Sequence, residues 1–297
     1  MDESLKKFVA VVEAGTFTRA AEILHVSQPA LSVAVSKLEK TLKVRLLEKS
    51  GRQGIVLSNA GRQVYAAALE HRRVEHDLNL QLVSLAEEKV PLRIGMIDSV
   101  AELLCAQDEP LRTLESSTEL GLYVMDSTAL RQAVRRSELD IAVVVADDVE
   151  DDRLEVAAVT VDRLLLVAAR GHQKSMEEHL SHRTALPFLS YVQHSATQTI
   201  IARALARDNI EIEPILYSTS PDIMLAMVER GRGVTVLPAS LVAGPLSDGK
   251  LVQLSCHGKP YYIERRLHVV TLKGRKLPPR LAALAFAMRE QLHTYAK

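Results

Sequence analysis

A chain of 297 residues is too long for one compact core, so two or three domains are expected. Its 47% apolar and 25% charged residues describe an ordinary globular protein, with no apolar run near the roughly 18 residues of a membrane span. Thirty-seven basic side chains balance 37 acidic ones, but residues 36–62 hold seven basic (Lys37, Lys40, Lys43, Arg45, Lys49, Arg52, Arg62) against two acidic (Glu39, Glu48), a net +5 that leaves −5 elsewhere and fits a polyanion-binding module fused to a neutral or acidic body.

Leu5, Phe8, Val9 and Val12 recur at helical spacing, so residues 3–14 are predicted to form an amphipathic helix closed by Gly15. Thr18 is the expected N-cap of a second, short helix running to Leu24, with Ala20, Ala21 and Leu24 inward. His25 and Val26 make a tight turn. Ser27 then caps a third helix, and Pro29 falls in its first turn, where a missing N–H costs nothing. This helix runs to about Leu42, with Leu31, Val35 and Leu38 on one face. Two short helices joined in this way form a helix-turn-helix, whose second helix enters the major groove of DNA. A plain three-helix bundle shares the apolar pattern but does not call for the polar first turn of Ser27, Gln28 and Ser32, with Ser36 and Lys37 one turn on. Gln and Ser can hydrogen-bond base edges or phosphates. Residues 46–49 and 55–57 flank Gly51 and Gly54 and read as a two-stranded wing, with Arg52 at its tip for the minor groove or the backbone.

The run Phe17-Thr18-Arg19-Ala20-Ala21-Glu22-Ile23-Leu24-His25-Val26-Ser27-Gln28-Pro29-Ala30-Leu31-Ser32 strongly resembles the winged helix-turn-helix of the LysR-type transcription regulators. The match continues through Leu38-Glu39, Val44-Arg45-Leu46-Leu47 and Leu57-Ser58-Asn59-Ala60-Gly61. The resemblance implies DNA contacts by Ser27, Gln28, Pro29, Ala30, Ser32, Ser36, Lys37 and Arg52. The chain departs from the family at Val33, where a basic residue is common, and at Lys43, which replaces the usual glycine before Val44.

From Ser58 the pattern is helical for almost thirty residues. Ala67, His71, Val74, Leu78, Gln81 and Leu85 follow a 4-3-4-3-4 spacing with Leu82 beside the seam, and about 28 residues make a rod of roughly 40 Å. A lone surface helix is the alternative. Dimerisation is favoured because so long a helix cannot hide its stripe against a small winged domain, and the resemblance implies a dimer linker here.

After Pro91 strands and helices alternate. Strands are expected at 92–97, 120–125, 141–145, 163–168, 188–191, 212–217, 234–237 and 266–272, and helices at 128–136, 196–207, 221–229 and 279–292. This is an α/β pattern of mostly parallel sheets with helices on both faces, and about 200 residues suit two similar lobes. The LysR resemblance extends through Leu139-Asp140-Ile141-Ala142 and Val228-Glu229-Arg230-Gly231-Arg232-Gly233-Val234, then Leu237-Pro238. It implies a two-lobed, type 2 periplasmic-binding-protein-like effector domain. The expected division is a winged domain at 1–58, a linker helix at 59–90 and an effector domain at 91–297. Lobe one then holds about 91–161 and 266–297, lobe two about 162–265, and two chain crossings make a hinge with a cleft beside it. Ser137 stands where the family usually has glycine, and Gly171-His172-Gln173 replaces a common His-Pro.

No catalytic constellation is legible. Gly231-Arg232-Gly233 lacks the third glycine of a dinucleotide fingerprint and follows a helix, so a C-cap and turn explain it. The pairs His179/His182 and His71/His76 have no Cys or carboxylate partners at ligand spacing, and neither do Cys105 and Cys256. No enzyme activity, cofactor or metal is expected. The opening MDESLKKFVA has no secretory pattern, which makes the cytoplasm the expected compartment. Ser99, Ser127, Ser195, Thr197, Thr219 and Ser220 stand at strand–helix junctions. Any one of these hydroxyls can be a plain N-cap, but junctions at the carboxyl ends of parallel strands converge on one crevice, where helix N-termini favour an anion. His194 adds a titratable donor. The resemblance implies a small-molecule effector there, an organic anion being the expected class, with promoter DNA and RNA polymerase as further partners and a homodimer or homotetramer as the assembly. The competing reading is a two-lobed solute-binding receptor without a DNA role, which the basic winged domain opposes.

Overall fold

The computed structural model describes residues 2–48, 54–85, 90–105, 118–145 and 151–275, and the chain divides into two compact units, Met1–Glu88 and Lys89–Lys297.

In the first unit, helices α1 (Glu3–Ala14), α2 (Phe17–Ile23) and α3 (Gln28–Leu42) close around Phe8, Val9, Val11, Ala20, Ala21, Leu31, Val35, Leu38 and Leu46. Gly15 ends α1 with φ 73°, a left-handed turn that aims its N–H at the Val11 carbonyl. The cap of α2 is Thr16 rather than Thr18: Thr16 is extended, as a cap must be, and its hydroxyl accepts from Arg19 N–H at 3.2 Å, while Thr18 lies inside the helix. Ser27 caps α3 by accepting from Ala30 N–H. Strands β1 (Leu47–Glu48) and β2 (Val56–Leu57) form an antiparallel wing, tied to the α1–α2 turn by Ile55 N–H donating to the Gly15 carbonyl. Arg52 lies outside the described residues.

Helix α4 (Asn59–Leu85) starts at Ser58, whose hydroxyl accepts from Gly61 N–H and donates to the Arg45 carbonyl. Gly61 is pressed so closely on the wing that a Cβ there would lie 2.0 Å from the Leu46 carbonyl oxygen. The Arg72–Glu13 ion pair fastens α4 to α1. The sequence's two departures from glycine, Lys43 and Ser137, both occupy left-handed backbone, with φ 54° and 57°.

The second unit begins with β3 (Val90–Met96), α5 (Asp98–Cys105), β4 (Thr118–Val124), α6 (Ser127–Arg135) and β5 (Ile141–Val145), followed by the long strand β6 (Leu154–Ala169). Next come α7 (Gln173–His182), β7 (Leu186–Tyr191), α8 (Ala196–Arg207), β8 (Ile212–Ser218), α9 (Pro221–Glu229), β9 (Val234–Pro238) and α10 (Ala239–Ser247). Strand β10 (Leu251–Gln253), the hairpin of β11 (Ser255–Cys256) and β12 (Lys259–Pro260), and strand β13 (Tyr262–Leu272) complete it. The strands hydrogen-bond in the order β4-β3-β5-β13-β6-β9-β7-β8, with β10 on β6. β3, β4 and β5 are parallel, and so are β7, β8 and β9, while β6 and β13 run antiparallel to each other and to β9 and β5.

The expected parallel sheets are therefore two separate sets joined by one antiparallel ribbon. The ribbon extends β6 well before residue 163, where its described side chains are mostly exposed although mostly apolar, so no apolar–polar alternation marks the strand. Helix α10 contains Gly244 and Pro245, which hide it in the sequence. The helix expected at 279–292 lies outside the described residues.

Two cores flank the ribbon. One gathers Ile94, Met96, Leu130, Leu139, Ile141, Val143, Leu267 and Val269; the other gathers Leu164, Leu166, Phe188, Ile201, Met224, Val236 and Ile263. Asp140 is fully buried in the first lobe, where it accepts from Arg93 N–H at 2.7 Å and from the Arg275 guanidinium at 2.8 Å. A buried carboxylate needs such partners, which accounts for the Leu-Asp pair in the motif.

Candidate DNA-facing helix and effector cleft

Helix α3 is divided sharply between buried and exposed positions. Leu31, Val35 and Leu38 are buried, whereas Ser27, Gln28, Pro29, Ala30, Ser32, Ser36 and Lys37 are all exposed. Lys40, Lys43 and Arg45 are exposed beyond them, so the local positive charge faces solvent. Val33, where the sequence lacks the family's basic residue, presents an apolar side chain that is 67% exposed. On α4, Val74 and Leu78 are half exposed and four residues apart, as a seam requires; the side chains of Gln81, Leu82 and Leu85 lie outside the described residues.

In the second unit the decisive residue is one the sequence reading missed. Arg265 sits on β13 where the ribbon passes between the two cores, and it is 2% exposed. Its Nε donates to Asp162 Oδ2 on β6 at 2.8 Å, one terminal nitrogen donates to Thr197 Oγ1 at 3.1 Å, and the other donates to Ser99 Oγ at 2.7 Å. Ser99 begins α5 in one lobe and Thr197 begins α8 in the other, so a single guanidinium spans the hinge. Period-two alternation along β13 was the available signal, since Ile263, Arg265 and Leu267 all point inward.

The other expected hydroxyls are spread more widely. Ser127 is buried and accepts from Val145 N–H at 3.0 Å, which holds the end of β5. Ser195 and Ser220 are half-buried N-cap positions without a side-chain cap bond, while His194 and Thr219 are exposed. Before α9 the buried hydroxyl is Ser218, which accepts from Ser220 N–H and donates to its carbonyl.

On α5, which carries Ser99, and on α9 lies a group of carboxyls that the sequence did not single out. Asp98 and Glu102 stand one turn apart on α5, and Asp222 lies in the first turn of α9. Burial, then a hydrogen bond to Asp222, then the charges of Asp222 and Asp98 push the Glu102 carboxyl up to about 8. Burial and then Asp222 raise Asp98 as well. Both Glu102 oxygens are sealed from solvent without a donor, and two carboxylates offer only acceptors, so Glu102 and Asp222 can join only through a proton. The Tyr191 hydroxyl is also buried and unpartnered, within the field of Arg265, Asp162, Glu102 and Asp98.

A winged helix-turn-helix followed by a two-lobed, type 2 periplasmic-binding-protein fold defines a DNA-binding regulator with an effector domain. The family profile described as "Bacterial regulatory helix-turn-helix protein, lysR family" matches residues 3–62, and that of the "LysR substrate binding domain" matches residues 86–293. The chain belongs to the LysR family of transcription regulators. It is 27% identical over 296 residues to the HTH-type transcriptional regulator YfeR of Shigella flexneri, covering 97% of this chain and 93% of that one. It is 25% identical over 282 residues to a RuBisCO operon transcriptional regulator of Acidithiobacillus ferrooxidans, covering 94% and 90%. The fold is that of ArgP from Mycobacterium tuberculosis, with a TM-score of 0.69, 21% identity and 98% and 97% coverage. It is also that of Vibrio fischeri DarR, solved in complex with DNA, with a TM-score of 0.51, 20% identity and 99% of both chains covered. A receptor without a DNA role is not supported. Among the described residues no helix is long and apolar enough to cross a membrane.

Proposed function

We propose that this regulator reads promoter DNA with the exposed face of α3. Gln28, Pro29, Ser32, Ser36 and Lys37 lie along the groove, Ser27 and Ala30 at its start, and Arg52, outside the described residues, is the further contact that the resemblance implies. The reading rests on α3 burying Leu31, Val35 and Leu38 while every residue of that set between 27 and 37 stays in solvent. Val33 on the same face suits a thymine methyl better than a phosphate. The test is an anisotropy titration of the full chain against a cognate and a random duplex. Gln28→Ala and Ser32→Ala are expected to lose about 1–3 kcal/mol of discrimination. Equal preference in parent and variants sinks the assignment.

The effector domain, from about residue 91, holds a small molecule at the hinge where Ser99, Thr197 and Arg265 meet, with Ser127, Ser195, Ser220, His194 and Thr219 at the neighbouring junctions. Lobes that close on a ligand change their relative angle, and α4 carries the change to the winged domains. The working form is a homodimer or a pair of dimers in the cytoplasm that acts on RNA polymerase and has no enzymatic role. Two features support self-association: the exposed seam residues of α4, and the sheet edges β4 and β8, which show Leu122, Tyr123, Val124, Ile215 and Tyr217 to solvent. Leu78→Glu is expected to halve the sedimenting mass.

A further inference from the structure

Three acidic side chains on α5 and α9 oppose the organic anion that helix N-termini alone would favour. The Arg265 guanidinium is compensated by Asp162 and its N–H groups face Asp162, Ser99 and Thr197. Asp98, Glu102 and Asp222 remain, and the charges acting on Asp98 and Glu102 are themselves acidic. Helix α10, which packs on α5, has no titratable side chain between Ala239 and Ser247.

A proton shared with Asp222 engages one Glu102 oxygen, so the other sealed oxygen and the buried, unpartnered Tyr191 hydroxyl, which lies in the field of Arg265, Asp162, Glu102 and Asp98, are unmet hydrogen-bonding capacity. Among the described residues no three His, Cys, Asp or Glu side chains converge closely enough to hold a metal ion. Ionised carboxylates offer only acceptors, so the unmet oxygens suit a ligand that brings several N–H donors. Asp222 is exposed, so the acidic wall opens to solvent on the α9 side.

We propose that Asp98 and Glu102 on α5 and Asp222 on α9 form the ammonium-binding end of the effector cleft, and that the effector is a small organic cation bearing a primary amine. This rests on the reading of the hinge as the effector site and deepens it. Before the ammonium arrives, Glu102 holds its proton toward Asp222. The ammonium replaces it: the Glu102 carboxylic acid and R–NH3+ give a carboxylate–ammonium pair, and one proton leaves to solvent. Because the two acids lie in different lobes, the same exchange favours the closed arrangement.

The experiment is calorimetry and thermal shift on the full chain, with α,ω-diaminoalkanes of two to five carbons and L-lysine as amine probes and succinate and glutarate as acid probes. An amine is expected to bind and both diacids to fail. Binding at pH 7 should release a proton, read from the dependence of heat on buffer, and affinity should fall about tenfold per pH unit below pH 8. Glu102→Gln is expected to weaken the amine at least tenfold. Asp222→Asn, at an exposed position, provides the same test should Glu102→Gln fold poorly. Silence of the whole amine series, or amine binding unchanged in both variants, overturns the proposal. A diacid that binds and is weakened by Thr197→Ala overturns the ammonium assignment but keeps the cleft. An amine that binds equally well to the Thr197, Glu102 and Asp222 variants removes the cleft as well.

Discussion

Helix α3 and the crossing of β6 with β13 both carry polar side chains, but α3 holds them in water whereas the crossing seals them away. Ser32, Ser36 and Lys37 keep their hydration until a partner arrives, and their loss is expected to show in binding alone. Arg265 and Asp162 have no such reserve, since each is the other's charge partner in the interior. A substitution there reads out first as stability, and any effect on effector response must be corrected for it. The contrast matters for experiment, because the hinge residues most tempting to mutate are the least neutral.

The largest expected effect is therefore at the crossing. Arg265→Ala leaves Asp162 buried without its cation and is expected to cost about 3–5 kcal/mol in denaturant unfolding. Adding Asp162→Asn should recover part of that loss. A single-variant loss below about 1 kcal/mol would erase the difference between the two sites. Gly61→Ala comes next, within the otherwise tolerant first unit. Its Cβ would meet the Leu46 carbonyl, so a loss of about 2–3 kcal/mol is expected, with the wing displaced.

The acidic wall gives a pH-dependent test. The Glu102 carboxyl is raised from 4.5 to about 8, so the folded protein holds that proton more tightly than the unfolded chain, and the group costs stability progressively as pH rises through that window. Glu102→Gln is expected to raise the melting temperature at pH 8.5 and to leave it nearly unchanged at pH 4.5. A gain of equal size at both pH values would assign the effect to packing. The smallest effect belongs to Lys43→Gly. Removing a Cβ from left-handed backbone at an exposed helix end should stabilise the chain by about 1 kcal/mol, seen as a rise in unfolding midpoint.

The sequence departures acquire meaning on this backbone. Lys43 and Ser137 were visible only as replacements of glycine, and both prove to sit at positive φ, where glycine is the unstrained choice. The misplaced cap of α2 has a comparable cause. Thr16 and Thr18 are equally good cap residues by type, and only the extended backbone at Thr16 separates them. The ribbon was underestimated because exposed crossing strands lack the apolar alternation by which buried ones are recognised.

What the sequence by itself determined is the local part: α1 to α3, their caps at Ser27 and Gly15, the inward set Leu31, Val35 and Leu38, and the alternation of strand and helix after residue 91. These follow from contacts within about one helical turn or one strand, where 3.6- and two-residue periods are written directly in the chain. Tertiary structure alone decided which side chains meet at the proposed effector cleft. Arg265 meets Ser99 across 166 residues and Thr197 across 68, and the Asp222 carboxyl that helps to lift Glu102 comes from another helix. A side chain's partner at such separations, and the water it loses, depend on which elements pack together, and no period in the sequence encodes that.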